Sequence, residues 1–247
     1  MRELPAGSDA VLLDFSTEES PEGAAEDCAR ALRAALESGR LPPCDIVLSA
    51  RTVLIETPPG AGLDQLAVRR IARTVPRRER STATAQFSNL QATSQAPHLV
   101  IPTVYDGADL TEAADLLGVS TDRLVEAHGA ILWRVQFMGF APGFGYLVPD
   151  PASAPDDAAL FRAITRRSQS RPSVPAGSVA VAAGYSAVYP RSSPGGWFLL
   201  GRTALTMWNS RATPPSTLTA GTTVRFDAMP EGTVSDPSAP TTSENTK

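Results

Sequence analysis

The sequence predicts an α+β protein assembled in two parts. Over roughly the first hundred residues, strand-like runs alternate with two amphipathic helical stretches. From Leu132 onward the pattern changes to short strands cut by Gly and Pro, which indicates a barrel or sandwich. The length of 247 residues, 42% of them apolar, is enough for one large domain or two small ones with cores of their own.

Ala10–Phe15 opens the first part as a short strand. Ser20 then suits an N-cap, with Pro21 at the first helical position and Glu22 in the first turn. Ala24, Cys28, Ala31, Leu32, Ala35 and Leu36 recur at helical spacing, and Gly39 supplies the stop. Asp45–Ser49 and Arg51–Glu56 read as two tightly joined strands. Leu63, Leu66, Ala67, Ile71 and Val75 mark a second amphipathic helix, which Pro76 ends. His98–Val104 is again strand-like. The order β-α-β-β-α-β is that of a ferredoxin-like unit.

Arg77–Ala96 holds Phe87 and Leu90 as its only large apolar residues and reads as an exposed loop or linker. Just before and into it, Arg69, Arg70, Arg73, Arg77, Arg78 and Arg80 crowd together, either as a solvated face or as a patch for an acidic partner. The second part offers strands at Leu132–Phe137, Ser178–Ala182, Ala187–Tyr189, Trp197–Arg202 and Thr223–Asp227. Pro230–Lys247 is rich in Ser, Thr, Pro and acids and reads as a disordered tail. The expected organisation is an α+β domain with its linker over residues 1–97, a β-domain over 98–229 and a tail over 230–247.

Composition excludes several chemistries. The 22 basic residues are 21 arginines and one lysine, Lys247, so neither a P-loop lysine nor an internal site for covalently attached biotin is available. Two histidines (His98, His128) and two cysteines (Cys28, Cys44) do not assemble a zinc site from neighbouring ligands, and no metal is expected. No apolar run is long enough to span a membrane, and Met1–Asp14 lacks the pattern of a signal peptide, so a cytoplasmic protein is expected. A net charge of −4 argues against a nucleic-acid partner. The helix-turn-helix-like segment Leu110–His128 fits this exclusion. From Asp109 to His128 five acids face Arg123 alone, a balance that repels phosphate, so two short helices packed on a sheet are expected.

Chemistry is concentrated in three segments. Gly139–Leu147, GFAPGFGYL, combines glycines with Phe140, Phe144 and Tyr146, which are able to wall a pocket. Ser193–Arg202, SPGGWFLLGR, makes a turn before a strand ending at Arg202. Between them Arg166, Arg167 and Arg171 precede VPAGSV (Val174–Val179), offering guanidinium and amide donors to a carboxylate or phosphate.

Taken together and in this order, with VIPTVYDGADL (Val100–Leu110), His128 near a helix end, VPAGSVAVAAG (Val174–Gly184) and Tyr189-Pro190, these segments resemble the KipI-type family. That family is also known as the B subunit of the bacterial ATP-dependent 5-oxoprolinase and as allophanate hydrolase subunit 1. It is similar to one half of the carboxyltransferase domain of urea carboxylase. The resemblance spans Val100 to Thr203. This chain departs from the family in a shortened glycine stretch at Asp106-Gly107-Ala108 and in Thr165 and Ser170, where prolines are usual.

The resemblance implies a cyclophilin-like β-barrel after the ferredoxin-like domain. It also implies a subunit that opens 5-oxoproline, a small-molecule substrate, to glutamate. ATP would be shared with two partners, a larger homologous barrel protein (the C-type subunit) and a lactam-utilisation-type protein. Two other readings stand beside it: a carboxyltransferase or allophanate hydrolase-type component served by a separate biotin carrier, and an inhibitor of a sensor histidine kinase. The candidate catalytic residues are His128, Arg166, Arg171 and Arg202. Phe140, Gly143, Phe144, Tyr146, Gly177, Ser178, Tyr189, Gly195, Gly196 and Trp197 are expected to bind substrate in one shared pocket.

Overall fold

The structure, a computed structural model, describes residues 1–75, 99–151 and 153–230. The linker Arg77–Ala96, with Arg77, Arg78 and Arg80, lies outside the described residues, as do Pro76, His98 and the tail from residue 231. The chain divides into two compact units, Met1–Ser94 and Gln95–Lys247.

In the first unit β1 (Arg2–Pro5), β2 (Ala10–Asp14), β3 (Asp45–Leu48) and β4 (Thr52–Glu56) form an antiparallel sheet in the order β1-β2-β4-β3. Helices α1 (Pro21–Glu37) and α2 (Gln65–Thr74) pack on each other, and α1 also packs on β3 and β4. Pro21 sits at the start of α1 as expected, but the Ser20 side chain makes no capping bond. At α2 the Asp64 carboxylate accepts from Ala67 N–H at 2.9 Å, a cap worth about 1 kcal/mol. The buried face of α2 is Ala67, Val68 and Ala72, whereas Leu66 is 68% exposed, so the apolar stripe is rotated from the expected one.

The expected sixth element is the main correction to this unit. The strand β5 (Leu99–Thr103) leaves the sheet entirely and pairs in parallel with a strand of the second unit. The edge beside β2 is filled by β1 instead, antiparallel and in continuous register from Arg2↔Asp14 to Pro5↔Val11. A short polar strand, RELP, carries almost no apolar alternation, which is why sequence periodicity passes over it.

The second unit is a nearly closed barrel. Its strands are β5, β6 (Trp133–Met138), β7 (Gly145–Pro149), β9 (Ser178–Ala182), β10 (Tyr185–Val188), β12 (Phe198–Arg202) and β13 (Thr223–Ala228), in the order β12-β9-β10-β7-β6-β13-β5. Val104 and Arg202 exchange both backbone hydrogen bonds, at 2.9 and 2.8 Å, and so bring the ends of the sheet together. That closure requires glycine. A Cβ at Gly107 would collide with the Leu199 carbonyl, and one at Gly201 with that of Val104. A ribbon of β8 (Arg171–Val174) and β11 (Ser193–Gly195) stands apart from the barrel sheet.

Helices α3 (Leu110–Leu117) and α4 (Thr121–Ala130), separated by the left-handed Gly118 (φ 67°), pack on β12 and β13, while α5 (Pro155–Ala163) packs on α4. The core is large and apolar, with Trp133, Leu147, Phe161, Val179, Leu200 and Phe226 all fully buried. Each such side chain removed from water contributes about 1.5–3 kcal/mol. Among the described residues no helix is long and apolar enough to cross a membrane.

Candidate functional site

One wall of the barrel opens into a cavity of about 290 Å³, and half of its lining residues are aromatic. The turn between β6 and β7 supplies Phe140 and Phe144, and β7 supplies Tyr146. Tyr185 stands on β10, Tyr189 follows it, and Trp197 precedes β12. Phe144 is the hub. Its ring centroid lies 5.1 Å from Phe140, 5.1 Å from Tyr146, 5.3 Å from Tyr189 and 5.6 Å from Trp197. All four contacts are edge-to-face, the arrangement that ring quadrupoles favour. Phe140 has φ 65° and is 59% exposed, so a non-glycine residue is held in the left-handed region while its ring faces solvent beside the cavity.

The polar side of the cavity comes from the stretch between α5 and β8, which brings in Arg166 and Ser170, and from Pro194 and Gly195 of the ribbon. Arg166 makes no ion pair among the described residues. Burial raises the Tyr189 phenol above its ordinary value of 10, against the opposing pull of Arg166 and Arg171. Burial raises Tyr146 in the same way, against Arg166. Both phenols therefore keep their protons at neutral pH and act as donors. The arrangement suits a small flat ligand that carries an anionic group and an oxygen able to accept a hydrogen bond.

The cavity lining unites seven of the residues singled out from the sequence: Phe140, Phe144, Tyr146, Arg166, Tyr189, Gly195 and Trp197. The expected shared pocket does not extend to the others. His128 is fully buried in the barrel core, with Nδ1 2.7 Å from Tyr105 Oη and Nε2 2.8 Å from Ser186 Oγ. Burial pulls its pKa down to about 3, so it is a neutral core imidazole and not a pocket acid or base. Arg171 meets the buried carboxylate of Asp109 at 2.5 Å, and Arg167 bonds to Asp109 at 2.6 Å and to Glu112 at 2.5 Å. Asp109 also accepts from Leu199 N–H at 2.8 Å, so it fastens the ribbon side of the site to β12. Arg202 is bonded to Asp106 at 2.8 Å. The nearby acid Asp157 pairs with Arg123 and not with these arginines.

The expected nest of amides is likewise occupied. Gly177 N–H donates to the Tyr189 carbonyl at 2.8 Å, and the Ser178 hydroxyl to that of Pro175 at 2.8 Å. Gly196 offers its carbonyl to Arg167 N–H at 2.9 Å, and Gly143 packs against Met207 and Trp208. Sequence reasoning missed Tyr185 and Ser170 as lining residues. Tyr185 begins β10 immediately after the Gly184 turn, and the alternation of that strand was the available signal. Among the described residues there is no group of three or more His, Cys, Asp or Glu able to hold a metal ion.

The fold and the pocket define a barrel module with an aromatic-walled cavity. Residues 1–218 match the family described as Carboxyltransferase domain, subdomain C and D, and the chain belongs to that family. The B subunit of 5-oxoprolinase from Escherichia coli O157:H7 is 34% identical over 186 residues, which cover 73% of this chain and 75% of that protein. The crystal structure of TTHA0988 matches with a TM-score of 0.66 at 31% identity, over 92% of this chain and 41% of that one. The urea carboxylase of Kluyveromyces lactis shares the fold, with a TM-score of 0.64 at 18% identity over 93% of this chain and 22% of that one. This chain thus corresponds to less than half of either solved chain.

Proposed function

We propose that this protein is one subunit of an ATP-dependent 5-oxoprolinase-type complex in the cytoplasm. Its role is to hold 5-oxoproline while the complex opens the ring to glutamate. The observation that carries this reading is the aromatic pocket with Arg166, outside any ion pair among the described residues, in a chain 34% identical to a protein named as the B subunit of 5-oxoprolinase. The five-membered lactam is small and flat enough for a cavity of about 290 Å³ walled by rings. Its carboxylate calls for a counter-charge, and the exposed Arg166 at the cavity supplies it.

Among the described residues the lining contains no carboxylate, imidazole or thiol, so on this reading the pocket binds and orients and the general base comes from elsewhere in the complex. Nor does it fit a triphosphate, because among the described residues Arg166 is the only cation of its lining and half of the lining residues are aromatic. ATP is therefore assigned to the partner subunits, a larger homologous barrel protein and a lactam-utilisation-type protein. A carboxyltransferase component working on a carrier-borne biotin is the second reading, favoured by the family to which the chain belongs.

The test is ATP-dependent release of glutamate from 5-oxoproline by the reconstituted complex and by this chain alone. The complex is expected to turn over and the chain alone to be inactive. Arg166→Gln should lower kcat/KM of the complex by about 30-fold or more. Turnover by the isolated chain would refute the dependence on partners. An Arg166→Gln complex within about twofold of the unmodified one would remove the pocket from the reaction. A complex inert toward 5-oxoproline that transfers carboxyl groups from carboxybiotin would favour the second reading.

A further inference from the structure

The chain has four tyrosines, and their hydroxyls are used differently. Tyr105 Oη is engaged by His128, and Tyr185 Oη donates to Gln136 Oε1 at 3.1 Å. Tyr146 is only half-buried. Tyr189 is 2% exposed, lines the cavity, and has no hydrogen-bond partner for its hydroxyl among the described residues. The hydroxyl is not among the buried unpaired side-chain atoms of the described residues, so it opens into the cavity, where a ligand oxygen is able to take the place of water.

The surroundings hold this hydroxyl in position. The Tyr189 backbone is fixed on both sides, with its N–H donating to the Ser178 carbonyl at 3.0 Å and its carbonyl accepting from Gly177 N–H at 2.8 Å. Its ring is wedged edge-on against Phe144 at 5.3 Å and Phe140 at 6.3 Å. The hydroxyl lies flat against Gly195, where a Cβ would collide with Oη. Glycine at 195 is thus what leaves room for the hydroxyl. Serine at 170, also lining the cavity, leaves that side open and polar.

We propose that Tyr189 is the specificity-determining donor of this pocket: its hydroxyl bonds to the ring carbonyl oxygen of a bound lactam, while Arg166 neutralises the carboxylate. This rests on the lactam reading above and adds to it the group that tells a lactam from a plain cyclic acid. A site built to donate to a substrate oxygen discriminates against an analogue lacking that oxygen, because the donor is then left unpaired.

The test is binding of two probes to the purified full chain by calorimetry: 5-oxoproline, and cyclopentanecarboxylate, which keeps ring size and carboxylate but lacks the lactam. The unmodified chain should prefer 5-oxoproline by about tenfold. Tyr189→Phe should weaken 5-oxoproline by about five- to tenfold, leave cyclopentanecarboxylate unchanged, and leave the melting temperature unchanged, since no bond within the protein is lost. Gly195→Ala, which displaces the hydroxyl without removing it, should reproduce the selective loss. Equal loss of both probes in Tyr189→Phe, or no loss of either, overturns the specificity role while leaving the lactam reading intact. Failure of the unmodified chain to bind 5-oxoproline overturns both.

Discussion

Around His128 the barrel packs Trp133, Phe161 and Phe226 with ring centroids 4.4–5.4 Å from the imidazole, and the polar atoms of that cluster are engaged. Tyr105 and Ser186 occupy the two imidazole nitrogens, and Trp133 Nε1 donates to the His128 carbonyl at 3.0 Å. Around Phe144 a second aromatic cluster has similar spacings, yet it leaves the Tyr189 hydroxyl and the Arg166 guanidinium without protein partners among the described residues. Similar rings therefore serve opposite ends. Complete pairing makes the His128 cluster part of the scaffold, and open polar groups beside the cavity make the Phe144 cluster the proposed binding site.

The largest effect on that contrast should come from His128→Ala. It strands Tyr105 Oη and Ser186 Oγ in the core and opens a cavity, so chemical denaturation should show a loss of about 4 kcal/mol. Removing Asp109 comes next. Asp109→Ala leaves Arg167 and Arg171 without the carboxylate that is 2% exposed, at an expected loss of about 3 kcal/mol by the same measurement. Either variant with unchanged stability would break the distinction between scaffold and site.

A pH series sharpens it. His128 has a folded-state pKa of about 3 against an ordinary 6.5, so the folded protein resists the proton that the unfolded chain accepts. Its contribution is complete above about pH 6.5 and is lost progressively as pH falls toward 3, at up to about 1.4 kcal/mol per pH unit. Urea denaturation at pH 7, 6 and 5 should show this decline. Asp14, held at about 2 by the Ser16 hydroxyl, the Ser16 amide and Arg2, adds to the decline only below about pH 4, outside the range of pH 7 to 5. The smallest effect on stability should be that of Arg166→Gln. An exposed arginine outside any ion pair among the described residues should change stability by less than about 0.5 kcal/mol, while affinity for a carboxylate ligand falls about tenfold in calorimetric titration.

Much of the second unit was legible in the sequence because its signals are local. Short runs set off by Gly and Pro marked β9 and β13, the acid-rich segment Leu110–His128 gave the two short helices α3 and α4, and the glycine-aromatic run Gly139–Leu147 pointed to the cavity wall. What escaped was long-range. The strand nature of Leu99–Thr103 was readable, but its parallel partner lies more than a hundred residues on, and nothing in a strand names its partner. Arg171 and Arg202 looked like site cations because a guanidinium does not reveal which carboxylate it will meet. The Asp109 and Asp106 carboxylates are 62 and 96 residues away. His128 was legible in principle. Leu124, Ala127 and His128 share one face of α4 at i, i+3 and i+4, which places the imidazole on the apolar stripe.

The most direct measurement compares two tryptophan indoles by NMR as 5-oxoproline is added to the purified chain. Trp197 lines the pocket, and Trp133 is sealed beside His128. A shift of the Trp197 indole resonance with saturation, while that of Trp133 stays still, is the expected result. Movement of Trp133 with Trp197 unchanged would place the ligand at the His128 cluster and contradict the division between scaffold and site.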